Sequence, residues 1–226
     1  MKNIVSPVVL WGTLFLFLFS SLSAQNSRQR AKDSLRLVVS KTEGAERLAA
    51  NRKLVGLYQL EVNKDQVLDT ILTIYDAMNA DARKLGDLKE QGVILHNRLA
   101  AISSKGLYDE VIRQAPATLD FLAKNELWKN YYLVCSQFIN AYSRQGEYEK
   151  ALVKADSIYN YAKAQNNRAG MGVILHDISM IYTFQRRYPE AEKCLRESID
   201  MLQDQTSYLN MLATVSYHLV TNLIAQ

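Results

Sequence analysis

The run Gly146-Glu147-Tyr148-Glu149-Lys150-Ala151-Leu152 recurs in degraded form 40 residues to either side, as Gly106-Leu107-Tyr108-Asp109-Glu110-Val111 and as Arg187-Tyr188-Pro189-Glu190-Ala191. Self-similarity at such a period marks stacked supersecondary units, none of which can bury its apolar face without a neighbour. Gly92-Val93-Ile94-Leu95-His96 returns as Gly172-Val173-Ile174-Leu175-His176, two periods away. Stepping by one period keeps columns of constant character: Leu68, Tyr108, Tyr148 and Tyr188, then Ile71, Val111, Ala151 and Ala191. A column that stays apolar or aromatic faces the same kind of neighbour in every unit.

Each period divides into two halves of helical spacing. Leu133, Phe138, Ala141 and Tyr142 recur at about three and four residues, Gly146 interrupts, and Ala151, Ala155, Ile158 and Ala162 resume the stripe. The pattern is helix, turn, helix. Gly106 and Gly146 are expected to supply the positive φ that closes the first helix of a pair. Asn125 and the Asn166-Asn167 pair with Gly170 are expected to punctuate between units. Only three prolines and nine glycines in 226 residues leave room for long helices, and Pro189 suits an early helical position. The expected helices are Ser27 to Lys41, Glu46 to Val62, Gln66 to Lys84, Leu88 to Ser103, Leu107 to Lys124, Trp128 to Arg144, Glu147 to Gln165, Ala169 to Gln185, Tyr188 to Gln203 and Tyr208 to Ala225. The fold class is therefore all-α.

Before that array stands a segment of another kind. Lys2 is followed by the apolar run Val8 to Phe19 and then by Ser20-Ser21-Leu22-Ser23-Ala24, the three parts of a secretory signal. Residues 1–24 read as a signal peptide cleaved after Ala24, and 25–226 as the helical repeat domain. Export to the periplasm or cell envelope follows. The membrane enters only through an uncleaved signal or a missing C-terminal segment. In an oxidising compartment Cys135 and Cys194 could pair, but their spacing favours two buried free thiols.

The array stops in mid-unit. Val215, Leu219, Leu223 and Ile224 are expected to form an apolar stripe without its covering helix, which reads as truncation of a longer protein or as a homodimer face.

The run Asn140-Ala141-Tyr142 with Gly146-Glu147-Tyr148-Glu149-Lys150-Ala151-Leu152 resembles the tetratricopeptide repeat, as does Ile181-Tyr182 with Tyr188-Pro189-Glu190-Ala191. The departures are a period of 40 rather than the family's 34, and Ile139 and Ser179 where glycine is usual. The resemblance implies a right-handed α-solenoid that binds a protein or peptide on its concave face. Arrays behind a signal also resemble the sensory regions of bacterial membrane-bound kinases and regulators, an analogy at the level of fold.

The chemistry the chain lacks narrows its function. With a net charge of +4 and interspersed signs it carries no nucleic-acid footprint. It has no phosphate-cradling glycine loop, no nucleophile elbow and no metal-ligand spacing among its three histidines. No enzyme activity and no cofactor are expected. The family pattern instead places a polar ladder on the first-helix face: His96 and Asn97, Ser136 and Gln137, His176 and Asp177, then Ser216 and Tyr217. Asn140 and Arg144 lie one and two turns further. Amides, hydroxyls and imidazoles at fixed intervals can hydrogen-bond an extended peptide backbone. Tyr131, Tyr132, Tyr159 and Tyr161 fall outside the motif and are expected to pack between units, with a binding surface as the alternative.

Overall fold

From residue 86 onward, six positions spaced 20 residues apart, Gly86, Gly106, Glu126, Gly146, Asn166 and Arg186, adopt φ between 54° and 79° and set the architecture, and Gln66 holds 66° one step earlier. The computed structural model describes residues 25–61 and 66–226. The expected signal at 1–24 and the expected helix end at Val62 lie outside the described residues.

Each left-handed residue ends one helix and turns the chain toward the next. The amide after it reaches back across the turn: Leu127 N–H donates to Leu122 O at 2.9 Å, Glu147 to Tyr142 O at 3.0 Å and Arg187 to Tyr182 O at 2.9 Å. Such bonds satisfy carbonyls that a helix end leaves without partners. Helices of 17 residues and turns of three thus make a half-period, and two half-periods make the repeat of 40. Glycine supplies the positive φ at 86, 106 and 146, but Glu126, Asn166 and Arg186 adopt it without that freedom. The punctuation expected at Asn125 falls instead on Glu126, while Asn125 turns its side-chain amide onto Phe121 O at 2.7 Å.

The first compact unit, through Gly86, holds α1 (25–41), α2 (Gly44–Gln59) and α3 (Val67–Lys84). Here α1 is tied to α2 by Lys32, which is buried, bonds Glu61 at 2.9 Å and lies 4.4 Å over the Tyr58 ring. Arg47 of α2 clasps Asp81 of α3, with Nε 2.7 Å from Oδ2. The Arg47 guanidinium holds the Asp81 carboxyl below the usual carboxylate range.

The second unit, from Asp87, holds α4 (Leu88–Ser104), α5 (Tyr108–Lys124), α6 (Trp128–Arg144), α7 (Tyr148–Ala164), α8 (Arg168–Phe184), α9 (Tyr188–Leu202) and α10 (Leu209–Ala225). It is an all-α solenoid stack. The first helices α4, α6, α8 and α10 touch one another in order, and α5, α7 and α9 pack against them as the second helices. Ile139, Ile174, Ile181 and Leu202 are fully closed from solvent at its centre, each worth about 1.5–3 kcal/mol of burial. Tyr132 joins them and packs against α8 of the next hairpin, with Tyr131 edge-on to it at 5.2 Å, whereas Tyr161 is exposed. Gly170 is no punctuation mark: it lies within α8, where a Cβ would sit 2.5 Å from the Tyr132 ring. The glycine of the second echo, Gly172, lies instead against α9, where a Cβ would sit 2.7 Å from Leu202 Cγ. Cys135 and Cys194 are free thiols.

The stripe expected to lie open on α10 is half closed. Val215 is fully buried and Leu219 packs against the core, whereas Leu209, Tyr217, Val220, Leu223 and Ile224 are exposed. The open face is thus rotated away from Val215, because that side chain already fills the cover supplied by α9 and α8. Asn222 fixes the rotation by donating to Tyr188 O on α9 at 3.0 Å.

Candidate functional site

The first helices of the second unit bring the expected ladder residues to one layer, but they divide into two sets. His96 and Asn97 on α4, Ser136, Gln137 and Asn140 on α6, and Arg144 at the end of α6 remain partly or fully accessible. Burial holds the His96 imidazole below its ordinary value, with Asn97 opposing and Lys129 reinforcing the shift. Arg144 lies 5.1 Å over the Phe184 ring, a cation–π contact that orients the guanidinium without neutralising it.

His176 and Asp177 are turned into the stack. They are 7% and 1% exposed, against the outward placement that the repeat pattern implied. Ser136 Oγ donates to Asp177 Oδ1 at 2.7 Å, and the Asn140 amide approaches the same oxygen at 3.4 Å. The physical reason is the contact between α6 and α8, which sets Asp177 against Ser136 and Asn140. A buried carboxylate needs such donors, and they make Asp177 a fastener between hairpins. Its second oxygen, Oδ2, is buried without a partner.

His176 reaches the other way. Its Nε2 lies 2.8 Å from Nδ1 of His218 on α10, while its Nδ1, 3.6 Å from Asp177 Oδ1, makes no hydrogen bond. Both contacts arise at an offset of one or two residues beyond the repeat period, 41 for Ser136 with Asp177 and 42 for His176 with His218. A search one step off the period was the signal that could have found them.

Concavities lie elsewhere among the described residues. In the first unit a cavity of about 540 Å³ opens between α1, α2 and α3, walled by Leu54, Ile74 and Ala77 with Arg36, Asn51 and Tyr58 among its polar groups. In the second unit about 470 Å³ lies beside Trp128, Gln165, Asn166, Arg168 and Gln205. Neither brings together a nucleophile, a base and an orienting group. Burial pushes the Cys194 thiol up to about 11 and raises the Cys135 thiol further, which leaves both poor nucleophiles at neutral pH. Among the described residues no group of three His, Cys, Asp or Glu side chains is placed to hold a metal ion. No helix among them is long and apolar enough to cross a membrane.

No protein-family model matches the chain, and no curated protein matches it by sequence. Solved structures do share its fold. BtubC (BKLC) from P. vanneervenii superposes with a TM-score of 0.57 at 13% identity, covering 88% of this chain and 82% of that one. A Podosopora anserina putative kinesin light chain with nearly identical TPR-like repeats gives 0.54 at 16% identity over 84% of this chain and 94% of the other. A single-substitution form of that Podosopora anserina protein gives 0.55 at 15%, covering 82% and 91%. At these identities the likeness is one of fold, and it is the fold of TPR-like repeats.

Proposed function

We propose that this chain is a non-catalytic scaffold that binds a protein or peptide partner in extended form along its first-helix face. It does so in the bacterial cell envelope, as the sensory part of a longer signalling protein. The observation that carries the binding reading is the accessible ladder His96, Asn97, Gln137 and Arg144, set on first helices that contact one another in order. Repeat solenoids present such surfaces to partners, and the ladder supplies donors and acceptors suited to a peptide backbone. The apolar segment and small residues ahead of Gln25 support export.

A phage-displayed library of random 12-residue peptides selected on the chain from Gln25 tests the binding. Enriched peptides should lose binding to the His96→Ala/Gln137→Ala double variant and keep it with Lys163→Ala, a second-helix change. Peptides that bind both variants alike, or no enrichment at all, would reject this face. Export is tested by the mass of the N-terminal peptide in the envelope fraction of expressing bacteria: Gln25 is expected, and a retained Met1 in the cytoplasm contradicts it.

A second reading, an exported stand-alone adaptor that dimerises through its last helix, is favoured by α10. Over Leu209–Ala225 that helix carries no Asp, Glu, Lys or Arg, and it exposes Tyr217, Val220 and Ile224 along one side. Light scattering should then give twice the chain mass, falling to one chain mass on Val220→Lys. A single-chain mass for the unaltered protein rejects the dimer.

A further inference from the structure

The His176 and His218 rings meet in a geometry that is more informative than their separation. Their planes lie within 10° of one another, their centroids are 5.0 Å apart and the facing nitrogens 2.8 Å apart. A ring nitrogen sits about 1.1 Å from its centroid, so both nitrogens fall on the line between the two rings, each lone-pair direction aimed at the other. The rings are coplanar and head to head, not stacked face to face. A metal ion on that line would need nitrogens about 4 Å apart. What fits between them is one proton.

The direction of that proton is set by Asp177. If His176 Nε2 carried the hydrogen, its Nδ1 would turn a lone pair toward the Asp177 carboxylate 3.6 Å away, inside a site closed to water. With the hydrogen on His218 Nδ1, His176 instead presents Nδ1–H to the carboxylate. That distance is too long for a hydrogen bond, yet the charge still selects the tautomer. Asp177 is itself held in place by Ser136 and Asn140 of α6. A line of polar groups therefore runs from α6 through α8 to α10.

We propose that Asp177, His176 and His218 form a proton-sensing joint that fastens α10 to α8. The joint is indifferent to the first added proton and is opened by the second. The first goes to His218 Nε2, the outer nitrogen, and leaves the Nδ1–H···Nε2 bond intact. A second has only His176 Nε2 to occupy, which sets two N–H groups against each other and forces the rings apart. Asp177 on α8 faces His176 and Tyr217 on α10 lies beside His218, while Cys135 on α6 interacts with Asp177 and α9 contributes the Tyr188 carbonyl that holds Asn222. Burial and His176 both hold the His218 imidazole below its ordinary value, so even the first proton is disfavoured at neutral pH and the second follows it only in acid. The joint goes beyond the binding reading and stands without it.

Two measurements on the whole chain test this joint. Long-range ¹⁵N–¹H correlation at pH 7.5 should find both His176 and His218 as Nδ1–H tautomers, and Asp177→Asn should move the His176 proton to Nε2. A His176 Nε2–H tautomer in the unaltered protein would overturn the assignment. Hydrogen exchange across 209–225, corrected for intrinsic rate, should quicken at least tenfold between pH 7.5 and pH 5. The substitutions His176→Gln and His218→Asn together place an amide oxygen and an amide N–H at the two facing nitrogen positions and cannot titrate. That double variant, with helical circular dichroism retained, should lose the acceleration. If it accelerates as the unaltered chain does, or if the unaltered chain does not accelerate at all, the joint is refuted.

Discussion

Arg186 holds φ at 60° in a turn where Gly106 and Gly146 hold 72° and 79°. An L residue in that region costs about 1–2 kcal/mol, and glycine recovers this less roughly 0.5–1 kcal/mol for its greater freedom when unfolded. The Arg186 side chain is exposed. Arg186→Gly should therefore raise the unfolding free energy by about 0.5–1 kcal/mol in urea titration, and Glu126→Gly likewise. Asn166→Gly should change little, because asparagine tolerates left-handed turns. A loss of stability in Arg186→Gly would mean that backbone strain at the turn is not the governing cost. Ala151 is the opposite case, a residue small because α7 has no space to spare there: it is fully buried beside Ala155 in the core. Ala151→Leu should cost on the order of 1–3 kcal/mol by overpacking, and an unchanged melting temperature would contradict the tight helix crossing.

At the scale of the helix, the same reasoning separates two glycines that look alike in sequence. Gly170 has the fully buried Tyr132 ring 2.5 Å from where its Cβ would be, whereas Gly56 in α2 has nothing within 4 Å. Gly170→Ala should destabilise its hairpin by about 1–3 kcal/mol, while Gly56→Ala should stabilise α2 by up to about 1 kcal/mol. Native-state hydrogen exchange in α8 and α2 reads the two effects separately, and equal responses would reject the steric account. The helices themselves were legible: every expected start matches within two residues, as do the ends of α3 to α10, because apolar periodicity and repeat register are local properties. The ladder was half legible. Periodicity locates a residue on a helix face but does not say how closely the neighbouring helix approaches, so of Gln137 and Asp177, one period apart, the first is partly exposed and the second buried. His218 escaped notice because its partner lies off the period, and the rotation of α10 because it depends on Val215 and Asn222 finding α9.

For the whole molecule, the shifted groups lean in directions that together confine stability to a band of pH. His96 and His218 are both held below the ordinary 6.5, chiefly by burial. The folded state thus prefers them neutral, so their contribution is complete above about 6.5 and is lost as pH falls through the folded values. Asp81, held low by Arg47, adds a loss of the same sign further down, as pH falls below the usual carboxylate range. On the alkaline side the signs reverse. Cys194 is pushed up to about 11 and Tyr208 up to about 12 by burial, and Cys135, Tyr131 and Tyr132 are raised as well. An unfolded thiol ionises near 8.5 and a phenol near 10, so unfolding releases protons there and stability declines as pH rises past those values. Calorimetric melts at constant ionic strength should therefore show a plateau between roughly pH 7 and pH 8.5, with lower melting temperatures at pH 5 and at pH 10. His96→Gln and His218→Asn should each flatten the descent between pH 7 and pH 5, and their effects should add, since the two lie on α4 and α10 with no shared partner. A melting temperature higher at pH 5 than at pH 7.5 would reverse the sign assigned to the buried imidazoles. It would require that at least one of them enters the folded state charged.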